Sequence, residues 1–376
     1  MSEERAGHTA ADVLMMARLF IGNFDFEHRL ALPTRQISSK LGRINAELAT
    51  SWLAVAEDGD FLWTPQPIES SFFEQAIANG LPRVNPVVSF DAVPRGVECL
   101  PWGWTDEVRR LCDVRGWRRN DPPHAAVRAG NSRRFSASLE REWNVGLDGA
   151  IEIANVKEFA DAISVLGLAT RWVVKAEFGM SGRERILGCG EPKSADLNWV
   201  AKRIVSDGVV FLEPWVERLD EVGIQIEVPQ TGLPQLIGLA PMLVDERGQY
   251  AGSWFASPDL DASNWERAVE VALDAAQRLQ ELRYFGPLGI DAMRYRETDG
   301  TMRLRPLQDV NARWTMGRLS LGWRRRLIPG ETHGCWRHFS RGVTDPVGHG
   351  FTRVVSTSAN WGGGVISYHN SCVMVR

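Results

Sequence analysis

Apolar and polar positions alternate along the first hundred residues in short blocks. LFIGNF (19–24), SWLAVAE (51–57), FLWT (61–64) and VNPVVSF (84–90) have the length and β-branched or aromatic content of strands, with Asp58-Gly59 as a turn between the middle two. SSFFEQAIANGL (70–81) has helical spacing, opens on serine and closes at Asn79-Gly80. CLPWGW (99–104) leads into a helix over 105–116 that Thr105 caps and Gly116 closes. Strands alternating with helices predict an α/β unit. The turn-rich, polar WRRNDPP (117–123) reads as a joint.

Beyond the joint, 131–143 reads as a helix opened by Asn131 or Ser132. Residues 151–167 read as strand, cap and helix, and RWVVKAEF (171–178) as a strand. GMSGRERI (179–186) is a glycine turn into another strand. A helix over 198–208, a strand over 209–216, and antiparallel strands over 221–229 and 234–254 follow. The longest helical pattern spans 264–286. GIDAMRYRETDGTMRLRPLQDVN (289–311) is a hairpin turning at Asp299-Gly300.

The bulk numbers narrow the class. The chain has 376 residues, enough for two or three packed units; 44% hydrophobic and 24% charged is an ordinary globular balance. A formal net charge of −4 gives no ground for a nucleic-acid partner, and Arg324-Arg325-Arg326 is too short a basic run to change that. The five cysteines form no CxxC pair, so neither a zinc site nor a disulfide framework is expected, and a reducing cytoplasm is the natural setting. The N-terminal apolar stretch is broken by Arg18, and no window has the roughly 18–20 apolar residues of a membrane span. His28, His124, His333 and His369 show no metal spacing, and WGGG (361–364) reads as a turn or a loop over a site.

Candidate chemistry begins with the hairpin. Side chains on a strand alternate faces, so Asp309 and Asn311 share one face, and pairing of the two arms brings Asp291 near Asp309. Two close carboxylates are unfavourable unless a cation lies between them, and magnesium prefers such hard oxygen donors. Taken alone, the same segment also reads as a solvated hairpin with surface acids. A second candidate is Lys175, at the end of an apolar strand before Gly179-Met180-Ser181-Gly182, where an ammonium and glycine-turn N–H groups can meet a phosphate. No Walker loop is present. The third is Phe211-Leu212-Glu213-Pro214-Trp215-Val216, an apolar strand stopped at Glu-Pro, followed by Glu221.

The order of these elements resembles the ATP-grasp superfamily over about 128–320, and GIDAM…LQDVNAR is similar to the metal-binding end of D-alanine–D-alanine ligase and biotin carboxylase. The resemblance implies an N-terminal α/β unit (1–120), an ATP-grasp lid (121–212) and a metal-binding catalytic subdomain (213–376). It is α+β in the ATP-grasp part, with nucleotide between two antiparallel sheets. It implies ATP and magnesium, with manganese as an alternative. Lys175 would hold the α- and β-phosphates beside Gly179, Ser181 and Gly182. Glu213 and the backbone of Trp215 and Val216 would face adenine, and Glu221 the ribose. Asp291, Asp309 and Asn311 would hold the metal, and Arg313 would face the transferring phosphoryl group. Arg134 or its neighbour Arg133 would be the lid-side phosphate arginine.

The implied reaction activates a carboxylate as an acyl phosphate and joins it to an amine, with a lid excluding water. The substrates would be small-molecule or peptide carboxylates and amines; homodimers are common among similar enzymes. Two departures stand out. Asp309 occupies a position where glutamate is usual, and Leu288-Gly289 replaces the arginine found ahead of the first acid in D-alanine-type ligases. A phosphotransferase on the same site, or a degenerate nucleotide-binding sensor, are the alternatives.

Overall fold

A computed structural model of the protein describes residues 17–32, 39–167, 170–179, 184–244, 248–257, 259–327, 329–340, 353–356 and 369–375. Ser181, Gly182 and the WGGG segment therefore lie outside the described residues. The chain divides into two compact units. One comprises Met1–Phe26, Gln36–Asp121 and Gly322–Arg376; the other comprises Glu27–Arg35 and Pro122–Leu321.

In the first unit, β1 (Arg18–Ile21), β2 (Phe61–Trp63), β3 (Asn85–Val87) and β4 (Glu98–Pro101) form a parallel sheet in the order β3-β2-β1-β4. Helices α2 (Ser39–Ala49), α3 (Ser70–Ala78) and α4 (Asp106–Arg115) complete the α/β pattern of this unit, whereas α1 (Phe26–Ala31) belongs from Glu27 on to the second. The cap of α4 forms as expected. The Thr105 side chain accepts a hydrogen bond from the Val108 N–H, and Gly116 closes the helix at φ +65°. SWLAVAE is not a strand: Thr50–Ala54 is a 3₁₀ turn extending α2, and all five residues are buried. Its apolar run satisfies burial in either conformation, and periodicity over so few residues does not separate them.

The second unit opens with α5 (His124–Gly130) and α6 (Arg133–Trp143), the latter capped by Ser132. Then come β5 (Ile151–Ile153), α7 (Val156–Leu166), β6 (Arg171–Ala176), β7 (Arg185–Cys189), α8 (Ser194–Asp207) and β8 (Val210–Pro214). These strands make an antiparallel sheet, β5-β8-β6-β7. Alternation gives this sheet two distinct faces. Trp172, Val174, Val210 and Leu212 point to one and pack on Phe159 and Ile163 of α7 and Val200 of α8. The other face carries Lys175 and Glu213.

Gly188 fits under this packing because it has no side chain. A Cβ there would lie 2.0 Å from the ring of Trp172, which is 1% exposed. Gly188→Ala is therefore expected to destabilise this sheet by about 1–3 kcal/mol, seen as a lowered Tm and faster amide exchange in β6 and β7. An unchanged Tm would show that Trp172 can move.

The second sheet of this unit contains β9 (Glu217–Val228), β10 (Gln235–Val244), β11 (Tyr250–Ala256), β12 (Gly286–Arg296) and β13 (Met302–Asn311), in the order β13-β12-β9-β10-β11. Helix α9 (Glu266–Glu281), the longest among the described residues, buries Ala268, Val271, Ala272, Ala275, Ala276 and Leu279 along one face, and α10 (Met316–Gly322) follows β13.

From Gly322 on, the chain groups with the first unit, whereas a 213–376 subdomain was expected. Gly322 abuts Ala54 and Val55, where an added Cβ would come within 2.8 Å of the Ala54 carbonyl oxygen, and Arg325 hydrogen-bonds the carbonyls of Ala54 and Ala56. Strands β14 (Gly334–Ser340), β15 (Arg353–Ser356) and β16 (His369–Val375) pair antiparallel there, with β16 between the other two. Among the described residues, no helix is long and apolar enough to cross a membrane.

Candidate nucleotide and metal site

The hairpin pairs in the register that brings its acids together. Asp291 lies directly opposite Asp309, and Gly289 opposite Asn311. The register shifts between Asp291 and Met293, the latter facing Arg305, so β13 bulges over Pro306-Leu307-Gln308 just before Asp309. Such bulges re-aim side chains next to functional sites. Burial and the charges of Asp309 and Glu221 push the Asp291 carboxyl up to about 7. Asn311 turns its Nδ2 toward Asp291 Oδ2 at 3.4 Å, while its Oδ1 accepts from Arg313 Nη2 at 2.9 Å. Arg313 also donates to the Trp314 carbonyl and forms an ion pair with Glu27, a buried residue from α1.

The folded-state value of Asp291 lies above its ordinary 3.8. The native state therefore holds the proton more strongly, and stability falls as pH rises between the two values. Asp291→Asn removes that repulsion. It should raise the Tm of the metal-free protein at pH 8 by the equivalent of roughly 1–3 kcal/mol and leave it nearly unchanged at pH 5. A lower Tm for the variant at pH 8 would count against two mutually repelling acids.

On the facing sheet, Lys175 lies opposite Phe211, and Glu213 is two residues further along β8 on the same face. Lys175 Nζ is 2.6 Å from Glu213 Oε2, and both residues are 8% exposed. Burial brings the Lys175 ammonium down to about 8 despite the Glu213 charge. Glu213, though buried, is held well below the usual carboxylate range by Arg305 and Lys175. Its carboxylate is thus committed to internal cations rather than turned outward toward a purine. The Trp215 N–H is likewise committed, donating to the Arg171 carbonyl at 2.8 Å, while its indole lies under the guanidinium of Arg218 at 4.0 Å. Val216 packs against the cluster of Leu147, Met293 and Tyr295. Glu221 is buried and paired with Arg218 at 3.0 Å.

Arg133 connects the two sheets. Its Nη2 is 3.1 Å from Asp309 Oδ2, its Nε donates to the carbonyl of Ala176, next to Lys175, and it flanks Gly179. Arg134 does not share that place: it pairs with Glu152 at 2.6 Å and lies near Glu177 at 3.5 Å. The two arginines are adjacent on a helix and so point about 100° apart, which only the packing of α6 resolves. Arg305, Glu140 and Glu27 are functional candidates with little sequence signal: Arg305 stands between Leu304 and Pro306-Leu307, and Glu140 and Glu27 lie among other charged residues.

The donor chemistry fits a hard divalent cation. Two carboxylates lie opposite each other, burial and then the neighbouring acid raise the Asp291 carboxyl, and an amide lies beside them. As placed, Asn311 offers nitrogen rather than oxygen to Asp291, and a cation there would favour the turned amide. Among the described residues, no group of three or more His, Cys, Asp or Glu side chains is arranged around a common point. Magnesium usually completes its shell with phosphate and water rather than an all-protein cage.

No protein-family model and no curated protein matches the sequence. Solved structures do match. A biotin carboxylase from Campylobacter jejuni, in complex with β-γ-ATP, aligns over 97% of this chain and 88% of its own, with a TM-score of 0.54 and 10% identity. An N5-carboxyaminoimidazole synthetase from Staphylococcus aureus, complexed with ADP, aligns over 96% and 92%, with a TM-score of 0.54 and 10% identity. The biotin carboxylase domain dimer of Hydrogenobacter thermophilus 2-oxoglutarate carboxylase, with MgADP, ADP and bicarbonate, aligns over 81% and 72%, with a TM-score of 0.50 and 14% identity. Over these spans the chain shares the overall fold of the three structures, the ATP-grasp fold.

Proposed function

We propose that this protein is an ATP-dependent ligase that activates a carboxylate as an acyl phosphate and joins it to an amine, releasing ADP and phosphate. One observation carries the reading. The opposed carboxylates Asp291 and Asp309 and the strand carrying Lys175 are tied to one another by the single guanidinium of Arg133. Paired acids, an ammonium and an arginine linked in this way are what a polyphosphate with a divalent ion requires.

In this reading Lys175 binds the nucleotide phosphates beside Gly179. Arg133 and Arg313 offset the charge on the transferring group. Val216 and Glu221 flank the nucleoside end. Asp291, Asp309 and Asn311 would hold magnesium, or manganese with the same oxygen donors, which when bound neutralises the phosphate oxygens. A carboxylate oxygen bonds to the γ-phosphorus as the bond to ADP breaks; the amine then bonds to the acyl carbon as phosphate leaves. The nucleotide complexes of the fold neighbours support nucleotide binding, and the Hydrogenobacter domain dimer supports a homodimer.

The test is phosphate release from MgATP against a panel of amino acids, small carboxylates and amines, with products weighed by mass spectrometry. Phosphate with a new amide is the expected result. ADP with a stable phosphoester would replace the reading by phosphotransfer, and tight nucleotide binding without turnover across the panel by a non-catalytic sensor.

A further inference from the structure

Two charged residues of the second unit are buried as deeply as its apolar core and have no part in the roles above. Arg305 is 2% exposed and Glu140 7%. They meet because of how α6 lies along β13. Arg133 and Glu140 are seven residues apart, two helical turns, and so share a face of α6. Arg133 reaches Asp309, and Glu140 reaches Arg305, four residues earlier on the same strand.

The contacts of Arg305 are bidentate on both sides. Its Nε and Nη2 donate to Glu140 at 2.5 and 2.8 Å, and its Nη1 and Nη2 donate to Glu213 at 2.9 and 3.2 Å. Glu213 in turn accepts from Lys175. The result is a buried line of alternating charge, Glu140–Arg305–Glu213–Lys175, whose formal sum is zero. A guanidinium fork fixes a carboxylate in both distance and plane, which a lysine in its place would not do. Arg305 takes much of the Glu213 charge, and among the described residues Lys175 is held by one hydrogen bond, to Glu213, where an ammonium has three donors.

We propose that Arg305 and Glu140 are positioning residues for Lys175: through Glu213 they fix the place of the ammonium relative to the Asp291–Asp309 pair and leave its remaining donors for phosphate. This rests on the reading of Lys175 as a phosphate ligand. Without Arg305, Glu213 would draw the ammonium inward as a closed pair.

The test uses calorimetric binding of MgADP from pH 6.5 to 9.5 to the full chain. It compares wild type, Lys175→Met, Arg305→Lys and the double variant Arg305→Met with Glu140→Met. The double variant removes one charge of each sign, so the buried sum stays zero. Lys175→Met and the double variant should each bind at least tenfold more weakly, with Arg305→Lys intermediate. The charged groups facing Lys175 are Glu213, Arg133, Arg305 and Glu140. Losing the Arg305 cation should therefore move the alkaline limb of binding to higher pH in the double variant, which a purely structural defect would not do. Wild-type affinity and an unmoved limb in the double variant, beside weak binding by Lys175→Met, would overturn the positioning role and leave the phosphate reading standing. Wild-type affinity in Lys175→Met would overturn the phosphate reading itself. Should the double variant fail to fold, Glu140→Gln, which frees Arg305 from half of its restraint, is read in its place: MgADP should bind more weakly, and with the Arg305 cation kept and a facing anion lost the alkaline limb should move to lower pH; wild-type affinity with an unmoved limb would overturn the positioning role.

Discussion

Asp309→Ala is expected to reduce ATP turnover by on the order of 10³-fold or more while the protein stays folded. The acid sits at the end of a bulge, opposite Asp291 in the hairpin register, and the Arg133 guanidinium is 3.1 Å from it. Removing it takes away one of two carboxylates proposed to hold the metal, together with the partner that keeps Arg133 against the hairpin. Losses of that size follow removal of one preorganised charge-stabilising group in other enzymes. Asp309→Glu should recover much of the activity, since it restores the charge with a longer reach, whereas Asp309→Asn should not. Comparable phosphate release by the alanine variant and the wild type, at saturating MgATP, would remove the hairpin from the chemistry. Circular dichroism and Tm separate that outcome from unfolding.

Lys175→Met should raise the KM for ATP and lower kcat/KM by about 10²–10³-fold, with little loss of stability. Methionine keeps the apolar stem, and Glu213 remains paired with Arg305. The sign of the pH effect follows from the depressed ammonium, which titrates near 8 instead of 10.5. Burying the charged form opposes folding below about 8, and that cost is relieved as pH rises toward the unfolded value. Phosphate binding runs the other way, because it needs the charge. Wild-type kcat/KM should therefore fall as pH rises through about 8, and the variant should lack that limb. A limb of the same position in both proteins would assign it to another group.

Local signals in the sequence account for much of this architecture. The 289–311 hairpin is legible because alternation and an Asp-Gly turn are local properties, and the pairing of Asp291 with Asp309 follows from them. The cap at Thr105, the closure at Gly116 and the 16-residue helix α9 are equally local. Residues 51–57 were not legible, since a short apolar run fits a buried 3₁₀ turn as well as a strand. Nor was the parallel order of the first sheet, in which Asp58-Gly59 joins no hairpin.

By itself, then, the sequence determined most of the elements, the acid-bearing hairpin and the strand-end lysine. These are set by side-chain periodicity, caps and turns within a few residues of one another. Only the tertiary structure decided that Arg133 rather than Arg134 meets Asp309, that Glu213 faces inward, and that Glu140 finds Arg305 across 165 positions of chain. Those outcomes depend on how α6 packs along β13 and on the demand that every buried charge have a partner, and no local pattern encodes which partner that will be.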